Sequence, residues 1–282
     1  MEIKDLAGLS KPLCKLIDVF QNGCSWALKP TQIKRIAFAS SEASSTNTSS
    51  DFKKHLKEAL LEDTINATHS VREKRQLNNI ASIYANAAQE LQMIENVDST
   101  PVDPDWSVRF FDYSKDVSNE EAQIIWAKIL SEEIIKPKSF FKRTLSILRN
   151  IEPFEAKWFS DICQFVLDDS YILYYIVAQG YYSVNRFQSL IDCGLINSIK
   201  CDFILNEDKM EIHGKAQTIK LILPQTGSIP IIHLGTVYLL TDAGSQLYKI
   251  TPSQTNQTYL MKLKKDIENR YNIESELTQM SQ

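Results

Sequence analysis

The stretch SNEEAQIIWAKILSEEIIKPKSFFKRTLSILRNI, Ser118 to Ile151, decides the reading of this chain. Ser118 followed by Glu121 has the spacing of a capping box, which opens a helix. Ile125 and Ile129, with Trp126, Leu130 and Ile134, then recur at three- and four-residue steps, the period of a buried helical face. Pro137 cannot continue a helix, and Ser139 can cap a second one carrying Phe140, Thr144, Leu145 and Leu148. The pattern predicts a helical hairpin with no recognisable catalytic group on its surface.

Elements on either side extend that hairpin into a helical domain. Asp105-Trp106 opens a short helix ending near Phe110-Phe111, and Glu152-Pro153 opens another with Phe154, Trp158, Ile162 and Phe165 or Val166 on one side. Trp106, Phe110, Phe111, Trp126 and Trp158 are expected to supply most of an aromatic core. The segment DSTPVDP at 98–104 cannot stay helical through its prolines. Before it, residues 51–96 read as one or two helices, with Leu56, Leu60 and Leu61 on one face and Ile80, Ile83, Tyr84, Ala87, Leu91 and Ile94 on another. The polar run Asn66 to Arg75 is expected to break or turn them.

After Tyr171 the texture changes. SYILYYIVAQG is too short and apolar to assign by period, and Val184 to Cys193 reads as a helix closed by Gly194. Strands are expected at 201–205, 210–213, 219–223, 229–234 and 237–241. Asp242-Ala243-Gly244 turns into a helix from Ser245 to Ile250, followed by a charged helix from Thr258 to Tyr271 and a frayed tail. A helix ending in CGLI, strands, and then YLLTDAGSQLYKI resemble winged-helix domains with an enlarged wing.

The N-terminal segment has its own character. Leu13, Leu16, Ile17, Phe20, Cys24, Ala27 and Leu28 line one helical face, with Trp26 beside them and Lys15, Asp18, Gln21 and Asn22 opposite. The run SSEASSTNTSS at 40–50 is too polar to offset its ordering entropy, and reads as a flexible linker. The fold class is therefore α+β and predominantly helical: an amphipathic segment at 1–39, a linker at 40–50, a helical domain at 51–170, and a winged-helix-like domain with a C-terminal helix at 171–282.

Composition excludes several function classes. A formal net charge of -4 gives no overall attraction to nucleic acid or anionic lipid. Residues 181–250 balance Arg186, Lys200, Lys209, Lys215, Lys220 and Lys249 against Asp192, Asp202, Glu207, Asp208, Glu211 and Asp242, where a duplex-binding wing needs positive surplus. Nucleic acid is thus not the expected partner. The four histidines, His55, His69, His213 and His233, fall in no nucleophile, zinc-protease or phosphate-loop motif, and the five scattered cysteines form no CxxC pair. Cys193, Cys201 and His213 match no common zinc spacing, and Asp103, Asp105 and Asp112 suit helix capping better than a metal. No catalytic residue, metal or cofactor is expected. Arg143 with Glu132 or Glu133 suits a salt bridge fixing the hairpin turn rather than an anion site. Glu2 and Asp5 stand where a secretory signal needs positive charge, and no run reaches the roughly 18 to 20 apolar residues of a membrane span, so a cytoplasmic setting is expected.

Trp106 with Phe110-Phe111, and Trp126, Leu130, Glu133, Pro137, Ser139, Arg143, Thr144 and Leu145, resemble the signature of an uncharacterised bacterial family, the domain of unknown function number 2806. Leu6, Gly8, Leu9, Ser10, Pro12, Leu16 and Ile17 resemble its opening, and Leu240-Thr241, Ala243-Gly244 and Leu247 its end. Glu132 and Lys138 stand where that resemblance implies glycine. The amphipathic opening and WAKIL helix are also similar, over a shorter span, to the abortive-infection alpha family of anti-phage proteins. No activity is established for the first family, so no catalytic residue is carried over. The resemblances, the lack of catalytic residues and the basic-flanked amphipathic helix on a flexible linker together lead to the expectation of a non-enzymatic defence protein that senses a phage protein and self-assembles into a homo-oligomer. Leu13, Leu16, Ile17, Phe20, Trp26 and Leu28 would then be its membrane or oligomer contact at the inner-membrane lipid. Trp106, Trp126, Ser139, Arg143 and Thr144 would be structural. The alternatives are that the N-terminal helix packs on its own domain, and that the chain is a cytosolic adaptor or regulator acting through its C-terminal domain.

Overall fold

A computed structural model describes residues 10–24, 54, 57–58, 61, 70–205, 210–222 and 231–279. The chain is predominantly helical with two small antiparallel sheets, and it divides into two compact units, Met1–Arg149 and Asn150–Gln282. The linker predicted at 40–50, and Trp26 and Leu28, lie outside the described residues.

The first unit contains helices α1 (Lys11–Cys24), α2 (Val71–Leu91), α3 (Pro104–Ser114) and α4 (Glu120–Ile135), and most of α5 (Lys142–Asn150). Ser70 caps α2 through a full capping box with Glu73, and Asp103 caps α3 ahead of Pro104. Helix α4 starts one residue later than its sequence suggests. Asn119 is the cap, accepting from the Ala122 N–H at 2.9 Å, because Ser118 is used elsewhere: its hydroxyl accepts from Asn79 on α2 at 3.1 Å. The start of α5 also differs. Ser139 donates to the Lys136 carbonyl at 2.6 Å instead of capping, so the chain turns through 136–141 before helix resumes at Lys142.

Helix α1 packs against α2, α3 and α4. The core is aromatic where these helices meet: Phe20 contacts Tyr84 (ring centroids 4.7 Å) and Phe111 (5.2 Å), while Phe110 joins Trp106 (5.1 Å) and Trp126 (5.3 Å). The Trp106 indole N–H is satisfied by the Phe140 carbonyl at 2.8 Å, which ties the hairpin turn to α3. Trp158 is not part of this core. Helix α6 (Pro153–Cys163) packs with the second unit, where Trp158 is half-buried against Phe154 at 4.8 Å. The boundary therefore falls near residue 150, because the apolar side of α6 meets the helix beginning at Val184.

The second unit continues with β1 (Tyr171–Leu173), α7 (Tyr175–Ala178), α8 (Val184–Asp192), β2 (Ile196–Leu205), β3 (Glu211–His213), β4 (Gln217–Ile222), β5 (Ile232–Leu240), α9 (Asp242–Ile250), α10 (Gln257–Tyr271) and β6 (Glu274–Gln279). One sheet has the order β1-β5-β2 and the other β3-β4-β6, with every pairing antiparallel. The two strands expected at 229–234 and 237–241 are a single strand, β5, bent where Gly235 takes φ 103°. The tail is not frayed over 274–279: it pairs with β4 from Gln217 to Ile222. Helix α9 begins at Asp242, with Thr241 accepting from the Gly244 N–H at 3.1 Å. Gly244 faces the turn after α8 so closely that a Cβ there would lie 2.1 Å from the Leu195 carbonyl oxygen. That approach locks α8, β2 and α9 together, and explains the TDAG sequence.

Candidate interaction sites

The apolar stripe singled out in the N-terminal segment is interior in this fold. Leu13, Leu16, Ile17 and Phe20 are each at most 3% exposed, as are Val19 and Cys24. The face expected at lipid or at another protomer is spent on α2, α3 and α4. The spacing that suggests an interfacial helix is the same spacing that buries one, so the two cannot be told apart by period.

Its polar face carries a contact that sequence reasoning missed. The Lys15 ammonium donates to three carbonyls: Asp98 at 2.8 Å, Thr100 at 2.8 Å and Ile134 at 3.1 Å. Two of these belong to the turn before α3, and the third to the last turn of α4, where a cation also meets the negative end of the helix dipole. Desolvation lowers the Lys15 pKa, and Asp98 and Glu133 oppose that shift. The lysine thus fastens α1 to two other segments at once. Gly23 lets the helix approach, since a Cβ there would fall 2.2 Å from the Phe111 ring.

The hairpin turn is held by Glu133 rather than by an ion pair to Arg143. Its carboxylate accepts from the backbone N–H of Lys138 at 2.6 Å and of Phe140 at 2.9 Å, while Arg143 is exposed. Burial pushes the Glu133 carboxyl up, against the lowering effect of those N–H groups. Lys138 takes φ 73°, a backbone state that favours glycine, which accounts for the glycine the resemblance implies there. Glu132, in the last turn of α4, needs none. Trp106, Trp126 and Thr144 are fully buried packing residues.

Cations in the second unit lie over rings. Arg186 lies 5.6 Å from the Trp158 ring, Lys200 lies 5.2 Å from Tyr174 and 5.3 Å from Tyr238, and Lys262 lies 5.5 Å from Tyr175. Val184, two residues before Arg186, is 62% exposed, and Phe154, edge-on to the Trp158 ring that Arg186 covers, is 50% exposed. Nothing in the sequence separates these two from core residues; their exposure is set by which faces of α6 and α8 meet each other and which face of α8 meets β2. Cys163 is buried and its thiol is pushed up to about 12, so it is no thiolate nucleophile at neutral pH. Among the described residues, no three His, Cys, Asp or Glu side chains gather as metal ligands, and Cys193, Cys201 and His213 are not brought together. Among the same residues, no helix is long and apolar enough to cross a membrane.

The stretch from just before α2 to β1 contains the hairpin, the Lys15 cradle and the aromatic core. Residues 65–171 match the family described as a protein of unknown function, DUF2806. The DUF2806 stretch supports the resemblance carried by Trp106, Trp126, Glu133 and Thr144. It excludes α1 and everything after β1, and the comparisons lend nothing to the looser abortive-infection similarity. No curated protein and no solved structure matches the chain.

Proposed function

We propose that this chain is a non-enzymatic interaction protein whose second unit is a winged-helix-like module binding another protein rather than duplex DNA. The observation that carries this reading is the outer face of α8. The order α6, β1, α7, α8, β2, β5 with sheet order β1-β5-β2 supports reading α8 as the recognition helix of such a module. The exposed residues of α8 are Val184, Asn185, Arg186, Gln188 and Asp192. One cation, one anion and an exposed valine suit a protein surface; phosphate neutralisation needs several cations.

The abortive-infection reading adds a step, release of α1 to disturb the inner membrane. Freeing Leu13, Leu16, Ile17, Val19 and Phe20 at roughly 1.5 to 3 kcal/mol each costs on the order of 10 kcal/mol. That equals the whole stability of an ordinary domain, so the trigger would have to supply an equivalent binding energy. The partner-binding reading needs no such step and stands first.

A photo-crosslinking amino acid in place of Val184 tests the proposal in cells. Covalent adducts to a defined protein are the expected outcome. Adducts to nucleic acid, or binding of the full chain to a specific duplex that weakens steeply with salt, would refute it.

A further inference from the structure

The sheet of order β1-β5-β2 ends on β2, and among the described residues no strand pairs with the far edge of β2. That edge runs from Ile196 to Leu205, with Ile199, Lys200, Cys201, Asp202 and Ile204 exposed along it. The direction of its backbone groups follows from the neighbouring strand. On β5, the Thr236 carbonyl accepts from the Tyr174 N–H at 2.9 Å, and the Leu240 N–H donates to the Ser170 carbonyl at 2.8 Å, so both residues face β1. Val237, out of phase with both, faces β2, where it stands opposite Cys201. Cys201 therefore turns its N–H and C=O to β5, and Lys200 and Asp202 turn theirs to the free edge.

Free edges are commonly blunted by charge, and a strand carrying one sign repels its own copy. The outer strand β6 of the other sheet is of that kind, with Glu274 and Glu276 and no cation. Strand β2 differs, because its cation and its anion, Lys200 and Asp202, flank Cys201. Laid antiparallel on itself about an axis through Cys201, it sets Lys200 opposite Asp202 of the second copy on both sides of the axis. These are also the residues whose backbone groups are free to bond across. Ile199 comes opposite Phe203 of the second copy, and no other centre brings the opposite charges face to face.

We propose that β2 is a self-pairing edge: two copies of this chain join antiparallel through β2, with Cys201 on the two-fold axis, into one sheet that runs through both. The occupant is a second copy because the charge pattern is complementary to itself in that register. Cys201 meets its own copy there as a non-hydrogen-bonded pair, with about 4.5 Å between Cα atoms, a separation that a disulfide spans. The proposal does not rest on the partner reading of α8.

Sedimentation of the full chain at rising concentration, under reducing conditions, tests it. Wild-type chain should dimerise by mass action. Asp202→Lys sets lysine against lysine and Lys200→Asp sets aspartate against aspartate, so each alone should dimerise roughly tenfold more weakly or worse. An equimolar mixture of the two folded variants should form the heterodimer, and the chain carrying both substitutions should regain wild-type affinity. Asp202→Lys leaves Lys200 on the Tyr174 and Tyr238 rings, so it reads the charge effect at an unshifted unfolding transition even where Lys200→Asp fails to fold. Diamide, which takes up two hydrogens as a pair of thiols becomes a disulfide, should trap the wild-type dimer and trap none from Cys201→Ser. Monomer at every concentration overturns the proposal. So does a dimer that Asp202→Lys keeps at full affinity, a mixture of folded variants no tighter than its parts, or a disulfide dimer that survives Cys201→Ser.

Discussion

Phe20→Ala is the sharpest single probe of how the first unit is built. The ring is 3% exposed and touches Tyr84 at 4.7 Å and Phe111 at 5.2 Å, in tilted and edge-on geometries. Truncating a buried phenylalanine costs about 3 to 5 kcal/mol, from lost transfer energy and an incompletely collapsed cavity. Tyr84 and Phe111 are themselves buried on α2 and α3, so the cavity would open between three helices that cannot all close on it. The upper half of that range is therefore expected, about 4 kcal/mol. For a domain of roughly 100 residues each kcal/mol moves the midpoint by about 4 to 8 °C, which gives a drop of roughly 15 to 30 °C. Thermal unfolding followed by near-ultraviolet circular dichroism reads this directly. A shift under about 3 °C, equivalent to less than 1 kcal/mol, would refute the assignment of α1 to the core and return its apolar face to solvent, lipid or another chain.

Further outcomes follow from single residues. Lys138→Gly should stabilise the first unit by about 1 kcal/mol, read as a higher urea midpoint, because φ 73° strains any side chain; a lower midpoint would contradict the turn geometry. Gly244→Ala should destabilise the second unit by about 2 kcal/mol or more, since its Cβ meets the Leu195 carbonyl. Unchanged unfolding of that variant would mean α9 sits farther from the α8–β2 turn. Burial raises the Glu133 carboxyl above its ordinary value of 4.5, so the folded state keeps a proton that the unfolded chain has already lost. The associated stability is present below that value and falls as pH rises through the window just above it. Glu133→Gln should flatten this part of the stability–pH curve, and an unaltered slope would show that another group sets it.

The hairpin, the aromatic positions and the helix-then-strand order were legible in the sequence because period and turn chemistry are local. Ile125, Trp126, Ile129, Leu130 and Ile134 specify a helix wherever they occur, and Pro137 ends it. Local signals also misplaced the caps: Ser118 and Ser139 have capping chemistry, but Asn79 and the Lys136 carbonyl claimed their hydroxyls. Trp106, Trp126, Glu133 and Thr144, which carry the DUF2806 resemblance, are buried packing or turn-holding groups, whereas Arg143 is exposed, so the resemblance gave architecture and no chemistry. What the α1 stripe faces was a tertiary decision, because an amphipathic period states that a face is apolar and not what covers it. The same holds for Lys15, whose three carbonyl partners come from segments 83 to 119 residues away. Strand β6 was invisible for a related reason. Glu274 to Gln279 is polar except for Leu277, and becomes a strand because β4 offers it a hydrogen-bonding edge. Local chemistry along the chain determined which segments could be helix or strand; long-range burial and hydrogen bonding decided which faces met, and so which surfaces are left for a partner.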